Sequence, residues 1–123
     1  MPHYSKDDDY IFAWREIVIP VLENIEPKVV VVSAGFDAFR NDGLATMELT
    51  ERFYHFAGAS LSKFSLAVVL EGGYSVGLRK GLPAFVSGYL SREAPIGEVR
   101  PSHESVKVVE AAKKIYGKWW EIK

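Results

Sequence analysis

Lys28-Val29-Val30-Val31-Val32-Ser33 and Leu66-Ala67-Val68-Val69-Leu70 are the two stretches that decide the fold. Both are unbroken apolar runs, the first almost wholly β-branched, and neither alternates polar with apolar residues. A strand with one wet face would alternate, so both read as strands covered on both faces, as in a parallel sheet. Glu26-Pro27 ends the preceding segment, because the residue before a proline is pushed out of the helical region. Between the runs, Thr50 is a good N-cap for a helix reaching about Lys63, with Phe53, Phe56, Ala57, Ser60, Leu61 and Phe64 on its inner side. Strand, helix and strand make one βαβ unit.

Outward from that unit, Asp7, Asp8 and Asp9 form an acidic first turn suited to a helix N-terminus. The helix they open is predicted from about Asp8 to Asn24. Its apolar residues Ile11, Trp14, Val18 and Val21 or Leu22, spaced by three and four, form one buried stripe. Pro20 lacks the N–H that would bond to Glu16 and is expected to kink the helix or end it early. After the second strand, a helix from about Ser75 to Leu90 is weakened by Gly77, Gly81, Pro83 and Gly88. A Pro- and Gly-bearing loop then leads to an amphipathic helix from Ser102 to Tyr116, with Glu104, Lys107, Glu110, Lys113 and Lys114 facing water. Trp119 and Trp120 are expected to pack the tail onto the body. Two strands that both read as interior cannot complete a sheet by themselves, since each leaves a row of backbone groups unpaired.

Composition narrows the function classes. With 15 Lys+Arg against 16 Asp+Glu in 123 residues, there is no basic field for nucleic acid or an anionic membrane. Zero cysteines exclude disulfides, thiolate metal sites and Cys nucleophiles, so any metal must be held by oxygen or imidazole. No apolar run approaches the ~20 residues that span a bilayer, and the N-terminus has no signal-peptide core. A soluble cytoplasmic protein is the expectation.

Ligands of open parallel sheets bind outside the carboxyl ends of the strands. The loops there are Ser33-Ala34-Gly35-Phe36-Asp37 and Glu71-Gly72-Gly73-Tyr74. Asp37 can ligate a divalent cation or simply turn the chain. Tyr74 can donate to a developing oxyanion or tie its hydroxyl to nearby backbone. Glu71 reads as a turn-orienting group, and His3, His55 and His103 as isolated residues without a shared site.

Those loops, in order with Asp9-Tyr10, Pro20, Glu26-Pro27, Asp42-Gly43-Leu44 and Leu49-Thr50, resemble the C-terminal third of the histone deacetylase superfamily. That superfamily includes acetoin-utilisation and acetylpolyamine amidohydrolase relatives. The resemblance runs from about Asp9 to Leu90. It implies an α/β fold of the three-layer arginase/deacetylase type, of which residues 1–123 supply a partial domain: one βαβ unit with flanking helices. It further implies Asp37 as one carboxylate ligand to a catalytic zinc and Tyr74 as the group that stabilises the oxyanion. Leu44 falls on the wall of the acyl-lysine tunnel, and Gly72 and Gly73 let backbone pass close to the substrate channel. The implied reaction is hydrolysis of an acetamide by zinc-activated water.

The family's Asp-x-His ligand pair and His-His dyad have no counterpart in this sequence. A catalytic zinc takes about three protein ligands, so zinc is expected only where another segment or chain completes the site. The implied partners are an upstream N-terminal segment or a second copy of the chain, with an acetylated amine as substrate. The alternative is a non-catalytic, self-associating α/β module. A nucleotide-binding protein is disfavoured because Glu71-Gly72-Gly73-Tyr74 is not a phosphate-cradling fingerprint.

Overall fold

A computed structural model describes residues 1–120 of the chain. Its elements follow the order helix, strand, helix, strand, helix, helix expected from the sequence. The N-terminal helical segment consists of α1 (Asp7–Ala13), a π turn (Trp14–Val18) and α2 (Ile19–Ile25). It is followed by β1 (Val29–Gly35), α3 (Glu51–Ser60), β2 (Ser65–Gly72), α4 (Val76–Ser91) and α5 (His103–Tyr116).

Pro20 does not end the first helical segment, which continues to Ile25. The π turn precedes it, with the Ile19 N–H bonded to the Trp14 carbonyl. Pro20 thus falls in the first turn of α2, where its missing donor is least felt. The wider turn also moves the inner stripe. The side chains packed on the core are Trp14, Ile19 and Leu22, and not Val18 or Val21, because one extra residue in the turn advances the face by one position.

Strands β1 and β2 pair in parallel, from Val29 with Ser65 through Ala34 with Leu70. The register then slips by one, so that Gly35 pairs with Gly72. Both strands run further than the apolar runs predict and end on these glycines. Val32, Leu66 and Ala34 face the core, whereas Val29, Val31, Val68, Val69 and Leu70 are exposed, Val31 by 69%. Within this chain the strands are therefore not covered on both faces. The sheet has two strands and the helices of this chain leave that apolar surface open.

The core lies between the inner face of the sheet, α1, α3 and α4. Ile11, Phe36, Phe39, Leu49, Phe53, Tyr54, Phe56, Ala57, Leu61 and Phe85 form it. The α4 glycines are contact points and do not merely weaken the helix. A Cβ on Gly88 would lie 1.9 Å from the His55 carbonyl oxygen, and one on Gly58 of α3 would lie 2.0 Å from that of Phe85. Backbone meets backbone there, which only glycine permits.

The aspartates that open α1 tie three segments together. Thr50, the N-cap of α3, donates its amide (2.8 Å) and its hydroxyl to the Asp7 carboxylate. Asp8 accepts from Arg52 at 2.6 Å and from the Arg100 amide at 3.1 Å. Asp9 accepts the Lys6 amide at 2.8 Å and the Ser102 amide, at the start of α5, at 2.7 Å. Lys113 turns inward to Glu16 at 2.6 Å and does not face water, which fastens the far end of α5 to the π turn. Trp119 is 76% exposed, so the expectation that it packs onto the body fails, while Trp120 is partly covered beside Tyr116.

Candidate functional site at the carboxyl ends of the strands

The two loops named from the sequence meet at one end of the sheet. The Phe36 amide donates to the Gly72 carbonyl at 3.0 Å, continuing the ladder one step beyond β1. Gly73 adopts φ +77°, and a Cβ there would stand 2.1 Å from the Asp37 amide nitrogen. Glycine at this position is a requirement of both conformation and space. Gly35 leaves room for the carboxylate, since its Cβ would come within 3.1 Å of Asp37 Oδ1, and Gly72 sits on the other side, 3.8 Å from Oδ2 by the same measure.

Asp37 is partly buried, and its carboxylate has no hydrogen bond to any of the described residues. Its charge is felt by the core phenols. Burial raises the pKa of Tyr10, and Asp37 raises it further. Tyr74 is 65% exposed and its hydroxyl donates to the Glu71 carbonyl at 2.7 Å, the backbone-tied arrangement. Glu71 accepts from the Ser33 hydroxyl at 2.8 Å across the strands and so orients the turn. Leu44 projects from the first loop, 74% exposed. His55 bonds the Glu93 carbonyl at 2.8 Å and His3 bonds Thr46 at 2.7 Å, each apart from the strand-end loops.

Asp42 enters the sequence reading only as part of the Asp42-Gly43-Leu44 motif, and the structure gives it a role. Its Oδ1 accepts the Ser75 hydroxyl at 2.7 Å and the Gly77 amide at 2.8 Å, so a carboxylate from the first loop caps α4 at the end of the second. The Ser75 bond, then the Gly77 bond, holds its pKa below the usual carboxylate value. This cap acts across a gap of 35 positions, which local pattern cannot reveal.

Among the described residues no group of three or more His, Cys, Asp or Glu side chains is placed to hold a metal ion. An unbonded carboxylate at a strand end suits a single oxygen ligand. It does not by itself make a catalytic zinc site, which needs about three protein ligands.

Parallel strands whose carboxyl-end loops bring the Asp37 carboxylate up against the Gly72-Gly73-Tyr74 turn define an α/β chain with a candidate site at the strand ends. The chain belongs to the histone deacetylase family: the family model for the histone deacetylase domain matches residues 1–88. It is 50% identical over 126 residues to the uncharacterized protein MJ0535 of Methanocaldococcus jannaschii, across 98% of this chain and 37% of that protein. It is 32% identical to histone deacetylase HDA1 of Candida albicans, across 94% of this chain and 14% of the other. Among solved structures it resembles the HDA15 HD domain, with a TM-score of 0.84 and 32% identity over 98% of this chain and 35% of that one. The histone deacetylase Clr3 superimposes with a TM-score of 0.88 at 26% identity over 99% of this chain and 22% of its own. The chain thus spans little more than a third, or less, of these relatives. No helix among the described residues is long and apolar enough to cross a membrane.

Proposed function

We propose that this chain is the C-terminal part of a zinc-dependent amidohydrolase of the histone deacetylase type, acting in the cytoplasm on acetyl-lysine or another acetamide. The observation that carries the reading is the junction of the Asp37 and Tyr74 loops, held by the Phe36–Gly72 bond and the close approach at Gly73. Asp37 contributes one carboxylate to the metal, and an upstream segment contributes the remaining ligands and the His dyad. Zinc bound there would activate water and polarise the acetyl carbonyl. Tyr74, released from the Glu71 carbonyl, donates to the oxyanion as the carbonyl becomes tetrahedral. Leu44 lines the acyl channel, and Gly72 and Gly73 keep its wall thin. Alone, the chain is inactive.

The test is co-expression with an upstream segment that carries an Asp-x-His and a His-His motif, followed by zinc analysis and an acetyl-lysine hydrolysis assay. Asp37→Asn is expected to lose both zinc and activity. Tyr74→Phe is expected to keep zinc and lose about 10²–10³ in kcat, the usual loss for one oxyanion donor. A well-formed, zinc-loaded complex without activity would overturn the reading.

The exposed apolar strand residues favour a second reading, a non-catalytic module whose open sheet is covered by another copy of itself. Sedimentation decides it: a stable monomer at micromolar concentration eliminates self-association.

A further inference from the structure

Tyr54 lies on α3 with only 5% of its surface exposed, and its hydroxyl is the buried side-chain polar atom that lacks a hydrogen-bond partner among the described residues. Buried hydroxyls are nearly always satisfied, because an unmade bond leaves the full cost of desolvation uncompensated. The ring is set against the Asp37 loop. Its centroid is 5.2 Å from that of Phe36 and 6.0 Å from that of Phe39, the residues on either side of Asp37-Ala38. Gly81 makes the slot, since a Cβ there would lie 2.7 Å from Phe36 Cδ1 and 3.3 Å from two atoms of the Tyr54 ring. Burial raises the phenol's pKa, and among the charges acting on it Asp37 comes first, ahead of Asp42 and Asp7. A ring with an unbonded buried donor is therefore packed against the loop that carries an unbonded carboxylate.

We propose that Tyr54 is a positioning residue for Asp37: its hydroxyl donates, through one bridging water, to the Asp37 carboxylate and fixes its orientation at the strand end. A water with two polar partners satisfies both groups without moving either. The role in catalysis rests on the reading of Asp37 as a metal ligand; the hydrogen-bonded link itself does not. Partners that orient a ligand in this way are worth about 10–100-fold in metal affinity or activity.

Raman spectroscopy of the full chain reads the link directly, because the tyrosine Fermi doublet reports whether a phenol donates a strong hydrogen bond. The Tyr54 contribution is isolated as wild type minus Tyr54→Phe. A strong-donor signature that weakens in Asp37→Asn is expected. A signature of an unbonded phenol, unchanged by Asp37→Asn, overturns the proposal. Should Tyr54→Phe fail to fold, the difference between wild type and Asp37→Asn gives the same answer, since Asp37 is on a loop and only partly buried. In the completed complex, Tyr54→Phe is expected to lower zinc retention and kcat about 10–100-fold with KM unchanged. A Raman link in a complex that holds no zinc refutes the proposed function and leaves the link standing. A zinc-loaded, active complex without the Raman response refutes the link alone.

Discussion

Replacing Gly73 by alanine tests whether the two strand-end loops are held together as described. Gly73 has φ +77°, and its Cβ would lie 2.1 Å from the Asp37 nitrogen and 2.2 Å from the Phe36 carbonyl carbon, both backbone atoms. Two costs follow, and other glycines separate them. Gly43 has φ +98° with nothing within 4 Å of a Cβ, so Gly43→Ala carries only the left-handed backbone cost of about 1–2 kcal/mol. Gly97 has neither a positive φ nor a neighbour within 4 Å, so Gly97→Ala is expected to be neutral or to stabilise by about 0.4–1 kcal/mol through the unfolded chain. Gly73→Ala adds displacement of backbone, about 1–3 kcal/mol for overpacking, for a total of about 2–5 kcal/mol. That is a large part of the stability of a small domain. In urea unfolding followed by Trp fluorescence, with m of about 2 kcal/mol/M, the Gly73→Ala midpoint should fall by about 1–2.5 M. The order of damage should be Gly73, then Gly43, then Gly97. A Gly73→Ala loss no greater than that of Gly43→Ala would refute the claim that Gly73 is pressed against the Asp37 loop.

Asp42→Ala should cost about 1 kcal/mol, the usual value of a helix cap, and should loosen the start of α4 in amide exchange. Because the folded pKa of Asp42 lies below 3.8, its contribution is complete above that value and is lost as pH falls through the lower folded one. Asp9 behaves likewise: burial pushes its pKa up, but the Lys6 and Ser102 bonds outweigh it, so Asp9→Asn should flatten the acid limb of the stability curve below 3.8. Gly58→Ala and Gly88→Ala should each cost about 1–3 kcal/mol in thermal unfolding by forcing α3 and α4 apart, whereas equal stability would dismiss the backbone contact. Val31→Lys should leave the lone chain folded and more soluble. It should weaken association with a covering segment about 10-fold or more, as removal of about 1.5–3 kcal/mol of buried valine requires, and titration calorimetry would show whether it does.

Much of the fold was legible because its signals are local. Apolar runs gave β1 and β2, Thr50 and Ser102 gave the helix starts, and both hydroxyls do accept an amide of the first turn. In the first helical segment a local rule met a tertiary solution: Pro20 is expected to kink the helix or end it early, yet the segment runs on to Ile25, with a π turn before the proline. The inward turn of Lys113 depends on Glu16, a residue on another helix, and the α4 glycines depend on α3 backbone, so neither could be read from its own segment. For the site, Asp37, Tyr74, Gly72 and Gly73 were named from motif order. Asp42 stands in the Asp42-Gly43-Leu44 motif with no role read for it, and Tyr54 in none, because their significance arises only from what lies across the fold.

The sequence by itself determined the class of protein: two parallel-type strands, a helix between them, and strand-end loops of the deacetylase kind. Period and turn chemistry are encoded within a few residues, so no tertiary knowledge is needed to read them. Tertiary structure alone decided that Gly73 meets the backbone of Asp37, that Asp42 caps a distant helix, and that an unsatisfied core phenol packs against the loop that carries Asp37. These are contacts between residues far apart in the chain, and their energies depend on distances that composition and spacing do not contain.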